Sequence, residues 1–373
     1  MTPTRRAALL GLVLAAAVAS TAAATDCTAP EARDDGWQVA SLESVGIDGG
    51  ILCPLAGRFE EWKKANIHGV LVIRRGNLVY ERYFTGFDQL HATGSAIVAF
   101  NARTKHDLRS MTKSFTALVT GAAVGRGWLD IAKPVLSFFP EYADLRSPEK
   151  DGITVRHLLM MAAGLEWNDD PPFTNEIALN RSSDPYRYYL SLPVVQPSGT
   201  VFNYSGGATA TIGAVLKQAT GKPFEALAQE LLLEPLGITD VAWTRTGNGD
   251  VRNWCCFHLR PRDIAKLGQL VLQRGRWNGV QVVPEAWIEA ATSAQIAANA
   301  PFRYGYQFWI YRQGNVDVVA AFGQGGQRLF IVPALDLVVV TTAGHYYGQG
   351  ELSARVPRTV FSDFVLPAVE VRK

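Results

Sequence analysis

The pattern of apolar and polar positions changes twice along this chain. Residues 69–84 hold two β-rich runs separated by Arg-Arg-Gly-Asn, a turn signal that predicts an antiparallel hairpin. Short β-branched and aromatic runs separated by turn residues return near the far end and predict strands over 304–311, 316–322, 328–332 and 337–342. Strands are therefore expected at both ends of the chain.

Between these runs the apolar residues recur with helical spacing. The segment 223–233 begins with a proline and places Phe224, Leu227 and Leu231 on one helical face. The same spacing predicts helices over 155–163, 208–219 and 264–272, with Gly164, Gly221 and Gly275 as stops. The pattern predicts an α/β (α+β) fold in which an antiparallel sheet is built from both chain ends, flanked by helices and interrupted by a mainly helical lobe.

The length of the chain also favours two lobes. About 350 residues remain after the leader described below, which exceeds the usual size of one domain. We place an α/β lobe at residues 25–135 together with 255–373, and a helical lobe at 136–254. A cleft between two such lobes is the expected position of a functional site.

The first residues have the composition of a targeting segment. Arg5 and Arg6 precede an uncharged apolar run over 7–18, which passes into small residues ending at Ala24. Residues 1–24 are therefore predicted to be a signal peptide, and the mature protein to be periplasmic or secreted. The run is too short to span a membrane, so no integral membrane segment is expected after its removal. The paired arginines leave a twin-arginine route and a general secretory route both open.

The charge balance excludes one class of partner. The chain has 36 Lys and Arg residues against 34 Asp and Glu residues, and the two leader arginines account for the excess. Without a basic stripe, no nucleic-acid partner is expected.

Four cysteines in an oxidising compartment allow three disulfide pairings. We favour Cys27 with Cys53. The adjacent Cys255 and Cys256 either form a vicinal bond or remain as small buried apolar residues. No histidine motif flanks any of the four, so a zinc site is not expected.

A serine and a lysine supply the candidate chemistry. The chain has no G-x-S-x-G motif and no histidine pattern typical of a Ser-His-Asp triad. Ser110 and Lys113 are three residues apart, a spacing that stacks the amine over the hydroxyl on a helix. Apolar residues following them at helical spacing predict a buried amphipathic helix with Ser110 in its first turn. Burial and the helix dipole disfavour the ammonium, so Lys113 is predicted to accept the Ser110 proton.

The same spacing occurs a second time, at Ser147 and Lys150. No apolar helical run follows this second copy. We therefore interpret it as a solvated loop and assign it no chemistry.

Three segments, in this order, resemble one known family. They are residues 107–114 (Asp-Leu-Arg-Ser-Met-Thr-Lys-Ser), 153–159 (Ile-Thr-Val-Arg-His-Leu-Leu) and 202–207 (Phe-Asn-Tyr-Ser-Gly-Gly). They resemble class C β-lactamases, penicillin-binding proteins and their esterase and amidase relatives, over residues 66–344. The resemblance implies a β-lactamase/transpeptidase-like fold.

The same resemblance implies roles for two further motifs. Tyr204 stands at the family's motif tyrosine, which passes protons between nucleophile and leaving group; the alternative is a core tyrosine. Gln324, Gly325 and Gly326 stand at the family's Lys-Thr-Gly strand, with the backbone N–H of Gln327 completing an oxyanion hole. The alternative there is a glycine-rich β-bulge without catalytic duty.

Two departures from the family pattern narrow the substrate. Gln324 replaces a residue that is basic in most β-lactamases, and Gly206 stands where an asparagine is usual. A lost cation weakens recognition of a substrate carboxylate, so small esters or amides without that group are expected. This is the branch of the family that includes 6-aminohexanoate-dimer hydrolase and carboxylesterases. If Gln327 lines the site, strand alternation turns Arg328 away from it.

The sequence thus predicts a serine hydrolase that forms an acyl-enzyme on Ser110 and needs no cofactor or metal. A D-Ala-D-Ala carboxypeptidase or β-lactamase is one alternative, and a slowly deacylating binding or sensor protein is another. Trp167 and the aromatic residues of 186–189 either wall the pocket or belong to the core. The oligomeric state is left open.

Overall fold

The computed structural model describes residues 27–90, 94–169, 174–346 and 349–370. The predicted signal peptide, 1–24, lies outside the described residues. The described strands are β1 (Gln38–Val39), β2 (Ile67–Arg74), β3 (Asn77–Tyr83), β4 (Thr85–Leu90), β5 (Gly94–Ala99), β6 (His106–Asp107), β7 (His258–Leu259), β8 (Arg276–Trp277), β9 (Val280–Gln281), β10 (Ile296–Ala297), β11 (Arg303–Tyr304), β12 (Trp309–Gln313), β13 (Val316–Gly323), β14 (Gln327–Val332) and β15 (Leu337–Ala343).

The helices of the described residues lie mainly between the strands of the two chain ends. They are α1 (Gly49–Leu52), α2 (Leu55–Glu61), α3 (Thr112–Gly125), α4 (Pro148–Asp151), α5 (Val155–Leu159), α6 (Asn175–Arg181), α7 (Pro185–Ser191), α8 (Gly206–Thr220), α9 (Phe224–Ala228), α10 (Pro261–Leu272), α11 (Glu285–Thr292), α12 (Gly350–Arg358) and α13 (Leu366–Glu370).

One nine-stranded sheet organises the molecule. Its order is β1-β3-β2-β15-β14-β13-β12-β11-β10; β1 runs parallel to β3, and every other neighbouring pair is antiparallel. The predicted hairpin is confirmed as β2 and β3. The two chain ends meet where Leu71 of β2 lies opposite Val340 of β15, which confirms a sheet assembled from both termini.

Both faces of the central strands are buried. Along β2, Leu71 and Ile73 enter the larger hydrophobic core, which also contains apolar residues of α3 and α10. Val70 and Val72 point to the other face and enter a second core with residues of α12 and of the helical turns after it. Because side chains alternate along a strand, burial of both faces produces the continuous apolar run seen in the sequence.

The middle of the chain is helical. Among the described residues of 136–254, none belongs to a strand of the nine-stranded sheet. The main core contains residues of both predicted lobes, such as Phe115 and Leu216. The division into lobes at 135 and 255 stays a prediction.

Two predicted elements depart from their expected bounds: one strand is interrupted and one helix ends early. The run 304–311 is interrupted between β11 and β12, where a Cβ at Gly305 would overlap the backbone of Ala291 and where Gln307 has a φ of 61°. The predicted helix 155–163 stops at Leu159, because the Gln307 amide donates to the carbonyl oxygen of Leu159 and Met161 adopts a φ of 58°.

A third prediction, that the Ser147 copy is a loop, is also wrong. Ser147 is the N-cap of α4, and its Oγ accepts a hydrogen bond from the backbone N–H of Lys150 at 3.2 Å. The segment is therefore a single capped helical turn.

Both cysteine pairs are bonded. The favoured bridge between Cys27 and Cys53 is confirmed, and Cys255 and Cys256 form the vicinal alternative. Separately, the described helices include none that is both long and apolar enough to cross a bilayer.

Candidate active site

Ser110 lies at the entry to a helix that is buried along most of its length. It belongs to a 3-10 turn, Arg109–Met111, that leads directly into α3. All side chains of α3 from Thr112 to Ala123 are buried, so the predicted amphipathic character is wrong; the helix packs against α8 and α11 as well as the neighbouring core. Ser110 itself is only partly buried, which leaves its hydroxyl within reach of a small molecule.

The structure brings the three predicted catalytic side chains together. The Nζ of Lys113 lies 3.3 Å from the Oγ of Ser110 and 4.9 Å from the centre of the Tyr204 ring. The same Nζ donates a hydrogen bond of 3.0 Å to the backbone carbonyl of Trp254. The amine is thereby held between the hydroxyl and the phenol ring.

The residue before Ser110 has a strained backbone. Arg109 adopts a φ of 49°, a left-handed conformation that costs a side-chain-bearing residue about 1–3 kcal/mol. One oxygen of Asp107 accepts from the backbone N–H of Arg109 at 2.7 Å, and the other lies 3.0 Å from its guanidinium. Both side chains are buried, so this pair forms an internal brace that sets the direction of the Ser110 turn.

A segment that the sequence did not single out forms one wall. Residues 253–257 run beside the turn and α3: the N–H of Phe257 donates to the Oγ1 of Thr112, and the N–H of Cys256 donates to the carbonyl of Arg109. This course presents the Trp254 carbonyl to Lys113. The adjacent cysteines were its only signal in the sequence.

Tyr204 is positioned by the start of α8. Ser205 caps this helix by accepting from the N–H of Ala208 at 3.2 Å. The Tyr204 ring stacks on Trp309 at 5.6 Å, and Trp309 stacks in turn on Phe322 at 5.7 Å. An aromatic wall therefore extends from the phenol across β12 to β13.

The aromatic residues chosen from the sequence have a different role. Trp167 and Tyr189 are buried and pack edge to face at 5.7 Å, while the Tyr186 hydroxyl donates to Asp250. Their core interpretation is therefore favoured. Trp309 and Phe322 were missed because both lie within strand-like apolar runs, where an aromatic residue that lines a site has the same sequence pattern as one in the core.

The glycine-rich segment lies beside the nucleophile turn. A Cβ at position 323 would overlap the carbonyl oxygen of Leu108, and both β13 and β14 contact the turn that contains Ser110. Gly325 and Gly326 have φ values of 91° and 99°, which disfavour any other residue. Gln324 is exposed in the turn between β13 and β14. The proposed role of the Gln327 backbone N–H in an oxyanion hole stays a prediction.

The side chains of Gln327 and Arg328 point in opposite directions. The Gln327 amide is buried, donates to the carbonyl of Ala343 at 2.6 Å and accepts from its N–H at 3.2 Å. Arg328 instead lies 4.7 Å from the centre of the Phe322 ring. We expected Arg328 to turn away from the site if Gln327 lined it. The Gln327 side chain is instead buried against Ala343, and the Arg328 cation lies beside the aromatic wall.

The Arg328 guanidinium is nevertheless committed to the protein. It donates to the carbonyl oxygens of Gly323 at 2.6 Å and Ser353 at 3.0 Å. Burial lowers the pKa of Arg328 to about 10, although Tyr311 and Tyr204 act in the opposite direction. Its first role is to hold the strand end against α12.

Glu176 is a site residue that the sequence did not reveal. A Cβ at Gly206 would overlap its carboxylate, so Glu176 occupies space that an asparagine at 206 would need. The indole N–H of Trp254 donates to Glu176 at 2.6 Å. Burial raises the pKa of the Glu176 carboxyl, against the opposing charge of Lys113. The only sequence signal was the unusual glycine at 206.

Gln307 forms hydrogen bonds to three of the helices that surround the site. Its backbone carbonyl accepts from the Ser114 hydroxyl at 2.5 Å, and its side-chain oxygen accepts from Thr209 at 2.7 Å. Its amide donates to Leu159 at 2.8 Å. The backbone and the buried side chain of this one residue thus link α3, α8 and α5, which carry or support Lys113 and Tyr204.

Comparison with known proteins shows which family the chain belongs to. The family model described as Beta-lactamase matches residues 59–355. The chain is 27% identical over 297 residues to 6-aminohexanoate-dimer hydrolase of Paenarthrobacter ureafaciens, covering 72% of this chain and 70% of that protein. It is 29% identical over 182 residues to esterase EstB of Burkholderia gladioli, covering 46% and 45% respectively.

Solved structures support the same fold. A putative 6-aminohexanoate-dimer hydrolase from Bacillus anthracis superposes with a TM-score of 0.67 at 20% identity, covering 82% of this chain and 79% of that one. A penicillin-binding protein homologue from Pyrococcus abyssi gives 0.65 at 19% identity, covering 82% and 76%. With the match of the family model over most of its length, the chain belongs to the β-lactamase family of serine hydrolases.

Proposed function

We propose that this protein hydrolyses a small ester or amide through an acyl-enzyme on Ser110. The observation that carries the proposal is the 3.3 Å contact between the Lys113 amine and the hydroxyl of a partly exposed serine. A base within hydrogen-bond reach of a nucleophile is the geometric requirement for covalent catalysis.

In the first step, Ser110 Oγ attacks the substrate carbonyl while Lys113 takes its proton. The carbonyl electrons move onto oxygen, and the backbone N–H groups of Ser110 and Gln327 are proposed to donate to that oxyanion. Collapse of the intermediate breaks the bond to the leaving group, which receives the proton through Tyr204. Water then attacks the acyl carbon and passes one proton through the same groups to Ser110 Oγ, while the bond between Oγ and the acyl carbon breaks and the acid is released.

The walls of the site favour substrates without a carboxylate. Gln324 is neutral and exposed, and the nearby Arg328 guanidinium is already bonded to backbone carbonyls. The stacked rings of Tyr204, Trp309 and Phe322 offer an apolar surface to an acyl or leaving group. The names of two relatives, an amide-dimer hydrolase and an esterase, support the same two substrate classes.

A fluorophosphonate probe followed by peptide mass spectrometry tests the proposal. We expect label on Ser110 alone, no label in S110A, and normal labelling in S147A, which removes the second serine of the same spacing. Turnover of p-nitrophenyl esters should disappear together with the label. Full esterase activity in S110A would overturn the assignment.

Arg328 gives a reason to test a second substrate class. If it releases its carbonyl partners, its charge can meet a substrate carboxylate, as in D-Ala-D-Ala peptides and β-lactams. Nitrocefin and D-Ala-D-Ala assays beside the ester panel separate these activities. A stoichiometric burst without turnover on every substrate would instead identify a slowly deacylating sensor.

We further propose that the protein acts outside the cytoplasm. The Cys27–Cys53 and Cys255–Cys256 bonds and the predicted leader support this location. Cell fractionation of the full chain tests it, and retention of an uncleaved chain in the cytoplasm would contradict it.

A further inference from the structure

A second polar cluster lies behind the nucleophile turn. It consists of His68 on β2, Asp88 on β4 and His106 on β6, all buried. One potential ligand atom from each of the three side chains lies within 4.8 Å of the others. Among the described residues, this is the one group of three or more His, Cys, Asp or Glu side chains that could hold a metal ion. The residues are far apart in sequence and form no spaced motif, so sequence reasoning predicted no metal.

The outer nitrogen of His68 has its protonation fixed by its neighbours. Nε2 lies 3.0 Å from the carbonyl oxygen of Phe87 and 3.4 Å from Oδ1 of Asn66. The Asn66 amide is itself oriented, because Oδ1 accepts from the N–H of Phe87 and Nδ2 donates to its carbonyl. Since Nε2 faces two acceptors, it carries the hydrogen, and a neutral ring then has its lone pair on Nδ1.

His106 is arranged in the same way. Its Nδ1 lies 3.2 Å from the carbonyl oxygen of Asp107, and the tautomer that donates to this acceptor has its lone pair on Nε2. The two inner nitrogens, His68 Nδ1 and His106 Nε2, are 2.7 Å apart. In that tautomer two lone pairs face each other, an arrangement that a bound cation stabilises; in the other tautomer, His106 Nε2 donates a hydrogen bond to His68 Nδ1.

Burial disfavours a charged form of either ring. Burial, and secondarily the neighbouring His106 ring, lowers the pKa of His68. Burial also lowers the pKa of His106, although the Asp88 carboxylate acts against it. Neutral imidazole is the form of histidine that binds metal ions.

We propose that His68 Nδ1, His106 Nε2 and an Asp88 carboxylate oxygen bind a divalent transition-metal ion of the zinc class. Two imidazoles and a carboxylate are a ligand set that Zn²⁺ accepts, with a water completing the tetrahedron. With bonds to nitrogen of about 2.0–2.1 Å, a tetrahedral ion holds two nitrogens about 3.4 Å apart, so the rings must separate by roughly 0.7 Å.

The surroundings of the three side chains match those of known metal ligands. Metal-binding histidines usually donate their other N–H to a carbonyl or carboxylate, and both rings face a backbone carbonyl here. The Tyr346 hydroxyl donates to Asp88 Oδ1 at 2.8 Å, which orients the carboxylate. These contacts support the ligands without competing for the inner nitrogens.

The proposed ion has a structural role next to the active site. It would join strands β2, β4 and β6, and His106 is followed directly by Asp107, which braces the backbone of Arg109. The Tyr346 ring that holds Asp88 also lies under the Arg109 guanidinium, at 4.3 Å. Binding would therefore stiffen the turn that presents Ser110 without touching the substrate.

Metal analysis of the purified full chain tests the proposal. After loading with Zn²⁺ and dialysis, we expect close to one zinc per chain in the wild type and in H157Q, whose histidine lies elsewhere. H68Q and H106Q should each lose it. Zn²⁺ should raise the Tm of chelator-treated wild type and of H157Q, but not that of the two ligand variants.

Because a buried variant can fail to fold, a second measurement uses the wild type alone. Co²⁺ added to chelator-treated protein should give the intense visible absorption of a tetrahedral site and saturate at one equivalent. The competing arrangement has His106 Nε2 donating to His68 Nδ1, which long-range ¹H–¹⁵N spectra would detect. That hydrogen bond in the presence of Zn²⁺, or wild type without bound Zn²⁺ or Co²⁺, would overturn the proposal.

Discussion

Two copies of the same spacing, Ser110 with Lys113 and Ser147 with Lys150, have opposite local structures. In the first, the lysine amine lies 3.3 Å from the serine oxygen. In the second, the serine oxygen accepts from the lysine's backbone N–H, while the amine donates to the carbonyl of Leu190 at 2.6 Å. The difference is where the helix begins: Ser147 is an N-cap with a φ of −152°, whereas Ser110 already lies inside a helical turn.

This contrast shows why the spacing alone is weak evidence. An N-cap serine uses its oxygen to satisfy the helix backbone, so that oxygen is engaged as an acceptor. A serine within the turn leaves its hydroxyl to the side chain one turn later. The apolar run after Lys113, which buries α3, distinguishes the two copies in the sequence.

The largest expected effect comes from removing each serine in turn. S110A should lower kcat/KM for p-nitrophenyl esters by roughly 10⁴-fold or more, because the nucleophile is lost. S147A should leave kcat/KM unchanged. Steady-state kinetics on both variants check this, and comparable losses in the two would erase the functional distinction between the copies.

A smaller effect is expected from Y204F, which removes one hydroxyl from the first copy's surroundings. We expect kcat to fall by about 10²-fold, the scale of one lost proton-transfer group, with the Tm little changed. An unchanged kcat would show that Tyr204 serves only to pack against Trp309.

The third prediction concerns the Glu176 carboxylate, which lies near Lys113 of the first copy. Burial raises the pKa of Glu176 from its usual 4.5, so the folded state binds this proton more tightly than the unfolded state does. Stability is therefore lost as pH rises from the usual value through the raised one. E176Q does not titrate, so its free energy of unfolding at pH 7 should exceed that of the wild type.

The advantage of E176Q should shrink as the pH falls towards 4, where the wild-type carboxyl is also protonated. Urea unfolding at a series of pH values measures it. Equal pH dependence in the two proteins would show that Glu176 stays ionised and that Lys113 compensates its burial.

The smallest effect belongs to the second copy. S147A should destabilise the fold by about 1 kcal/mol through loss of the helix cap, and S147D should retain most of that stability because aspartate also caps. Urea unfolding of the two variants tests this. A loss of esterase activity in S147A without a loss of stability would contradict the purely structural role.

The sequence predicted what periodicity and spacing encode. It located the hairpin, the two-ended sheet, and the Ser110, Lys113 and Tyr204 cluster. It did not predict Glu176, whose place depends on the missing side chain of Gly206, nor Arg328, whose direction depends on where β14 begins. The sequence also did not predict the interruption of the strand at Gly305, because a close approach of two backbones does not change the pattern of apolar and polar residues.

The pairing of β2 with β15 has a consequence for how the chain is made. Leu71 is synthesised 269 residues before its partner Val340. The hairpin of β2 and β3 must wait with an open edge until Val340 emerges, so the sheet cannot close before then. Folding with such distant partners is expected to be slow and, before completion, vulnerable to aggregation.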